Sequence, residues 1–459
     1  MQNVECRTAA VRLFSGGIAE NSSFTELSAV PVSSLYGHVP FCARKCSYCA
    51  FYSEPSRGEL INRYVEALIR ELELVAADLR PRTIYFGGGT PSLLNLRQWE
   101  RILDAMQRLR LGGAGEWTVE CNPATVSLDK ARLLRSGGVN RMSMGVQSLN
   151  AGLLDRLGRV HTREMAFKSF DILRQAGFDN LNLDLMFAIP TQSLEVWRET
   201  LCEATAMGSE HLSSYEVIYE EDTALYDQLQ AGKVNDDEDL ACSMYEELVD
   251  CAAAAGFEQY EVANFARPRS FHEPRSDRGG PLSLSLSHLE GERVPKAGAG
   301  LVHGPDVRRE VAAPVNAQPA TRNLPGFACC HNINYWRGGS FYGLGPSATS
   351  YIRGVRTKTW SNTQLYCEQL ERGQRTFESS EKLAPLARAG ETAAFGLRMV
   401  EGWPFEQFLH VTGFDLRCEW AQDMAQLVEQ GRGRILSDSF QLTREGLRFA
   451  DSAAELFLR

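Results

Sequence analysis

Cys42, Cys46 and Cys49 stand in the run YGHVPFCARKCSYCAF, separated by three and then by two residues. Three thiolates in one loop can hold three irons of a [4Fe–4S] cube, and the reactivity of such a cluster is set by what surrounds the remaining iron. With no fourth cysteine nearby in the sequence, that iron is left to a small ligand. The spacing therefore implies a reactive cluster more than an electron relay. Two plainer readings stand beside it. Zinc takes four protein ligands, or three and a water with His or carboxylate included, and His38 is close in sequence. Unpaired cysteines also serve as small core residues. The flanking aromatics Phe41, Tyr48 and Phe51 suit a shielded cluster.

A loop of this kind has to be held at the end of something rigid. From residue 35 to about 217 short apolar runs alternate with longer amphipathic stretches. Strands are predicted at 35–39, 83–86, 117–121, 140–145, 181–187 and 212–218. Helices are predicted at 59–76, 96–109, 127–136, 162–176 and 193–207, the first with Leu60, Tyr64, Leu68 and Leu72 on one face. Six β–α units imply an α/β fold with a parallel sheet and right-handed crossovers. Six is short of the eight that close a full barrel, so a partial (β/α)6 barrel is expected. In such folds chemistry collects at the C-terminal ends of the strands. The cysteine loop follows the first strand and GGGTPS, Gly87 to Ser92, follows the second. Glu120 ends the third in ECNP, Gln147 follows the fourth in MGVQSLN, and Asp184 lies within the fifth in NLDLMF. Alone, a triple glycine is a tight turn. Glu120, Gln147 and Asp184 are then surface or capping residues, and Arg159 in LGRVHT is a solvated arginine. One rim carrying all of them together with a cluster loop has a functional reading.

The 459 residues carry a net charge of -10, which argues against nucleic acid as a partner. Their length suggests two or three domains. No apolar run approaches the roughly 18–20 residues that cross a bilayer, which leaves only peripheral membrane association open. Residues 1–34 read as an N-terminal extension without a signal-peptide core. Twelve cysteines with no secretion signal point to a reducing, cytoplasmic compartment.

The unit at 35–268 is followed by a stretch at 269–325 without sustained periodicity, and residues 268–328 hold eight of the 18 prolines. It reads as an irregular, disordered insertion. A segment at 326–375 contains CCHNINYWRGG, and 376–459 reads as a mainly helical C-terminal domain. That domain ends on a hairpin and a helix at 444–457, a winged-helix-like arrangement whose acidic composition points to protein contact.

The cysteine loop and glycine turn resemble those of the radical S-adenosylmethionine (SAM) proteins. With HNINYW, His331 to Trp336, the chain resembles their oxygen-independent coproporphyrinogen III oxidase group, and most of all its heme-chaperone branch (HemW). The match covers roughly 35–268 and 326–457. Joining Arg267–Pro268 to Gly326 restores the group's run FARP…GFACCHNINYW. The resemblance implies that Cys42, Cys46 and Cys49 hold the cluster and that SAM chelates the open iron, one electron then cleaving the sulfonium to a 5′-deoxyadenosyl radical. It assigns Tyr36, Tyr48, Gly88, Gly89, Thr90 and Glu120 to SAM. Positions matching Gln147, Arg159 and Asp184 line a second SAM site in the oxidases, and all three residue types are kept here. The oxidases have a further cysteine two residues after the third, where this chain has Phe51. The HNxxYW motif marks the chaperone branch and implies heme binding by His331, Tyr335 and Trp336. A neutral imidazole is a good axial ligand, and aromatic rings wall a porphyrin face. Read from the residues alone, His331 is a satisfied core or loop histidine.

The expected function is a heme chaperone that binds heme and delivers it to acceptor hemoproteins, with a cluster that binds SAM. The alternatives are an oxygen-independent coproporphyrinogen III oxidase and a radical SAM methyltransferase, since one scaffold hosts many functions. A chaperone on this scaffold is expected to lack coproporphyrinogen oxidase activity. One-electron chemistry would call for a flavodoxin-type or ferredoxin-type reductant.

Overall fold

A computed structural model describes residues 30–55, 58–269 and 324–459. The N-terminal extension up to residue 29 and nearly all of the expected insertion lie outside the described residues. Strand β1 (Val32–Val39) begins three residues before the predicted start. A two-residue parallel pair follows, β2 (Phe41–Cys42) with β3 (Glu54–Pro55). Then come β4 (Leu79–Gly88), β5 (Glu116–Cys121), β6 (Arg141–Gln147), β7 (Leu181–Phe187) and β8 (His211–Glu216). With β1 these are the six expected parallel strands, paired in chain order.

Alternation explains why these segments are strands. Leu35, Ile84, Phe86, Trp117, Val119, Met142, Met144, Leu183 and Leu212 belong to one apolar core with the helices. The alternate positions Ser34, Thr83, Glu116, Thr118, Arg141, Ser143, Asn182, His211 and Ser213 are also buried, and form a second, polar face. The crossover helices α1 (Gly58–Val75), α2 (Leu96–Arg108) and α3 (Leu128–Ser136) are followed by a short α4 (Ala151–Arg156), then α5 (Arg163–Gln175) and α6 (Leu194–Ala206). Asn95 caps α2 in a capping box with Gln98, and Ser127, Thr162 and Ser193 cap α3, α5 and α6.

The sheet is larger than six strands. After α7 (Ala224–Gln230) and α8 (Glu238–Ala254), β9 (Glu258–Glu261) and β10 (Asn264–Ala266) add an antiparallel edge beside β8. Helix α9 (Cys330–Trp336) precedes β11 (Tyr342–Leu344), which pairs parallel with β1. The order β11–β1–β4–β5–β6–β7–β8–β10–β9 leaves the sheet open.

The chain then makes a small antiparallel sheet from β12 (Thr349–Ile352), β13 (Val355–Lys358) and β14 (Ser379–Lys382), with α10 (Thr363–Glu371) between the last two. Helix α11 (Pro385–Gly396), β15 (Trp403–Pro404), α12 (Phe405–Thr412), α13 (Leu416–Glu419) and α14 (Ala421–Glu429) lead to the hairpin of β16 (Gly433–Ile435) and β17 (Ser439–Leu442). The hairpin gains β15 as a third strand. Trp403, Phe408, Trp420, Phe440 and Phe457 fill a separate core. The helix expected at 444–457 is two short helices, α15 (Arg444–Arg448) and α16 (Ala450–Glu455), because Phe449 leaves helical geometry at φ −111° and ψ 35°.

Candidate functional site

The cysteine loop leaves β1 and is closed at its base by the β2–β3 pair, with Glu54 N–H donating to Pro40 O at 2.7 Å. Ser47 fixes its middle: its N–H donates to Leu157 O at 3.0 Å, and its carbonyl accepts from Leu225 N–H at 2.8 Å. Cys42, Cys46 and Cys49 are unpaired and half-buried, in contrast to the buried Cys121, Cys329 and Cys367. Burial pushes the thiols of Cys42 and Cys49 up, the latter to about 11, and the neighbouring cysteines add to this. Metal coordination removes that penalty by binding the thiolate. Among the described residues no three His, Cys, Asp or Glu side chains gather closely enough to hold a single metal ion. A cube, by contrast, takes each thiolate at its own corner. The donor set fits the cluster.

The glycine turn is joined to this loop. Gly89 N–H donates to Val39 O and Thr90 N–H to Phe41 O, both at 2.8 Å. The Thr90 hydroxyl lies 3.6 Å from Cys42 Sγ. Gly88 has φ +102°, and a side chain there would strike the His38 ring. His38 Nε2 donates to Tyr52 O at 3.0 Å, so its Nδ1 accepts from the Tyr36 hydroxyl at 3.1 Å. Burial lowers His38 to about 4 and keeps it neutral. Glu120 accepts from Tyr85 Oη at 2.7 Å and from Gly88 N–H at 3.2 Å. Burial, and then the charge of Asp184, push its carboxyl up. Tyr48 packs its ring on an apolar patch with Leu153, Leu157, Met186, Ile189, Val217 and Leu225, and its hydroxyl is bonded to Cys46 beside Arg159.

Gln147, Arg159 and Asp184 meet around Gly145. Asp184 pairs with Gly145 across the strands, and accepts from Ser143 Oγ at 3.0 Å and Asn182 Nδ2 at 2.8 Å. Burial raises its carboxyl. Arg159 Nη2 donates to Gly145 O at 2.6 Å, and its Nη1 lies 3.5 Å from Cys46 Sγ. The structure thus gathers Tyr36, Gly88, Gly89, Thr90 and Glu120 on the Cys42 side of the rim, and Gln147, Arg159 and Asp184 on the Cys46 side.

His331, Tyr335 and Trp336 lie elsewhere. Helix α9 crosses the opposite end of the sheet, where β5, β6 and β8 begin. Glu116, the first residue of β5, accepts the N–H groups of Cys330 and His331, each at 2.9 Å. Tyr260 Oη accepts from Cys329 N–H at 3.1 Å and contacts His211 Nε2 at 2.8 Å. His331 is 0% exposed. Its Nδ1 is 3.0 Å from Thr83 Oγ1, its Nε2 2.8 Å from Tyr335 Oη, and its ring stacks on Tyr85 at 5.2 Å. Burial and the Arg141 charge lower it to about 3. With both nitrogens engaged, His331 has the geometry of a satisfied core histidine, and neither nitrogen faces outward as an axial ligand must. Trp336 is half-buried, 6.3 Å from Phe395 and under the Arg398 guanidinium. Sequence reasoning missed Glu116, Arg141, His211 and Tyr260, which hold this end together. The available signal was a row of polar residues at alternate positions of apolar strands.

Residues 36–202 match the profile of the radical SAM superfamily. The chain is similar to a heme chaperone HemW of Lactococcus lactis subsp. lactis, 29% identical over 431 residues that span 93% of this chain and 97% of the relative. A heme chaperone HemW of Bacillus subtilis is 27% identical over 93% of this chain and 99% of its own length. The solved structure of coproporphyrinogen III oxidase (HemN) from Escherichia coli shares the fold, with a TM-score of 0.70 at 19% identity, covering 96% of this chain and 93% of that one. The three-cysteine loop, the glycine turn bonded to it and the parallel strands beneath both agree with these matches, and residues 36–202 carry the radical SAM domain that the profile describes.

Proposed function

We propose that the protein is a heme chaperone, which binds heme and passes it to acceptor hemoproteins. The observation that carries this reading is the extent of the similarity to HemW proteins, which takes in almost the whole of both chains. Cys42, Cys46 and Cys49 would hold the cluster, and the rim from Tyr36 and the glycine turn through Glu120 to Gln147, Arg159 and Asp184 would hold SAM. Bound together, cluster and SAM supply one-electron cleavage of a sulfonium. The protein's own part is to bring the glycine backbone close, to keep Glu120 and Asp184 in a buried, polar setting, and to place Arg159 on Cys46. A flavodoxin-type or ferredoxin-type reductant and a cytoplasmic location belong to the same proposal. Among the described residues no helix is long and apolar enough to cross a membrane, so any membrane association would be peripheral.

Heme is the cargo. Capture through His331 requires that its bonds to Thr83 and Tyr335 be exchanged and that α9 move from the strand ends. The second reading, coproporphyrinogen III oxidase, is favoured by the fold shared with HemN and disfavoured by Phe51, where the oxidases have a cysteine. Anaerobically reconstituted protein should bind heme and transfer it to an apo-hemoprotein. It should leave coproporphyrinogen III unconverted when supplied with SAM and reductant. His331→Ala should weaken heme binding or change the iron spectrum. Rapid decarboxylation by the unmodified protein, with no stable heme complex, would reverse the ranking.

A further inference from the structure

Strand β6 ends irregularly. Its register against β7 shifts between Gly145 and Gln147, Gln147 has φ +62°, and Ser148 N–H donates back to Val146 O at 2.8 Å. A bond from one residue to the second before it, across a centre with positive φ, is the rare and strained γ-turn. Strand irregularities of this kind gather beside active sites. A glutamine holds such a conformation only where its surroundings over-determine it.

Two side chains of the LGRVHT segment do so. Arg159 Nη2 grips Gly145 O at 2.6 Å. His161, 3% exposed, contacts Val146 O through Nε2 at 3.1 Å. Because the acceptor is a carbonyl, Nε2 carries the proton and Nδ1 is bare. Burial and the adjacent Arg159 charge lower His161 to about 4, in keeping with the neutral ring. Consecutive carbonyls, at Gly145 and Val146, are therefore pinned from one loop. A methyl group on Gly145 would lie 2.9 Å from Gln147 Nε2 and 3.3 Å from Arg159 Nη2, so the amide and guanidinium flank the same point. Two buried groups here lack a hydrogen-bond partner among the described residues, the Nε of Arg159 and the Nδ1 of His161. Arg159 also reaches Cys46, which joins the turn to the cysteine loop.

We infer that His161 is a positioning residue of the SAM-binding rim: by donating to Val146 O it holds Gln147 in the strained turn, with the Gln147 amide beside the Arg159 guanidinium. This rests on the radical SAM reading and adds to it a residue that acts through the Val146 carbonyl. The test uses full-length protein reconstituted with iron and sulfide, the dissociation constant for SAM, and the electron paramagnetic resonance spectrum of the reduced cluster with and without SAM. His161→Ala should keep the iron and sulfide content of the unmodified protein, lose about tenfold in SAM affinity, and lose most of the spectral change on adding SAM. His161→Gln, which still offers an N–H at similar reach, should recover most of both. Where the alanine variant fails to fold, His161→Leu fills the space without a donor, and the Leu and Gln pair decides. An alanine or leucine variant that binds SAM and shifts its spectrum like the glutamine variant overturns the inference. Unmodified protein that takes up no cluster, or binds no SAM, overturns the radical SAM reading beneath it, and the two failures are distinguishable.

Discussion

Gly89 has no room for a methyl group. A Cβ there would lie 2.7 Å from Phe41 O and 2.8 Å from Val39 O, both backbone atoms of the cysteine loop. Backbone held in a sheet cannot step aside as a flexible side chain does, so Gly89→Ala has to part the turn from the loop. Thermal melts should show a loss of about 1–3 kcal/mol, and iron uptake on reconstitution should fall. Uptake and stability equal to the unmodified protein would mean that the two loops are not braced on each other. The three cysteines were legible from residue type and spacing, and Gly89 from its place one strand after them. Glu116, Arg141 and His161 were not, since each is defined by what another strand or loop places beside it. Arg141 is 2% exposed, which nothing in NRMSMG announces. His331 was legible in both directions, as a ligand by resemblance and as a core histidine by chemistry, and the hydrogen bonds to Thr83 and Tyr335 fit the second.

At the scale of elements, periodicity served wherever one face of a helix or strand meets the core. The strands from 181 and 212 and the helices α2, α3, α5 and α6 fall within a few residues of their expected places. It failed for β12 to β14, whose residues are mostly half-buried or exposed and alternate only weakly. Their clue was local: Arg353 and Gly354 both have positive φ, +50° and +85°, as a tight two-residue hairpin turn requires. The expected insertion makes a different kind of test. Its described ends touch, with Arg269 Nε donating to Gly326 O at 3.0 Å and Phe327 N–H to Arg267 O at 3.3 Å. A short linker can therefore replace residues 270–323, and closing a shorter loop has the smaller entropic cost. The shortened protein should melt within about 2 °C of the original, an effect of well under 1 kcal/mol, with unchanged iron content. A much lower melting temperature would show that the removed residues pack on the body.

Over the whole molecule, buried histidines set an acid limit. His38 and His161 are lowered to about 4, His331 to about 3, and His211 well below its ordinary value, in each case first by burial. Below about 6.5 the unfolded chain takes up protons that the folded one refuses. The stability these groups contribute is fully present above that pH, and it is lost as pH falls toward 4 and 3, at about 1.4 kcal/mol per unit for each histidine. Glu120, Asp184 and Glu261 are pushed up by burial and act with the opposite sign, losing stability as pH rises through their raised values. A comparison of variants separates the two. Urea titrations at pH 7, 6 and 5 should give His211→Asn a pH slope shallower than the parent's by about one proton. Equal slopes would mean that His211 takes up a proton in the folded state. The parallel sheet was legible as a whole from its six repeats, whereas its two extra edges, β11 and the β9–β10 pair, come from segments too short to show a period.

One side chain belongs to both ends of the sheet. The Tyr85 ring is stacked on His331, and its hydroxyl is held by Glu120 on the rim. If α9 leaves to meet heme, one face of that ring loses its neighbour, and the carboxylate beside the glycine turn feels the change through the hydroxyl. Heme held through His331 and SAM held at the rim would then share a free energy. Such coupling is reciprocal: whatever factor SAM applies to the affinity for heme, heme applies to the affinity for SAM. Cargo at one mouth of the sheet would thereby be registered at the other as a change in cofactor occupancy, and a protein that hands heme on would carry its own report of whether it is loaded.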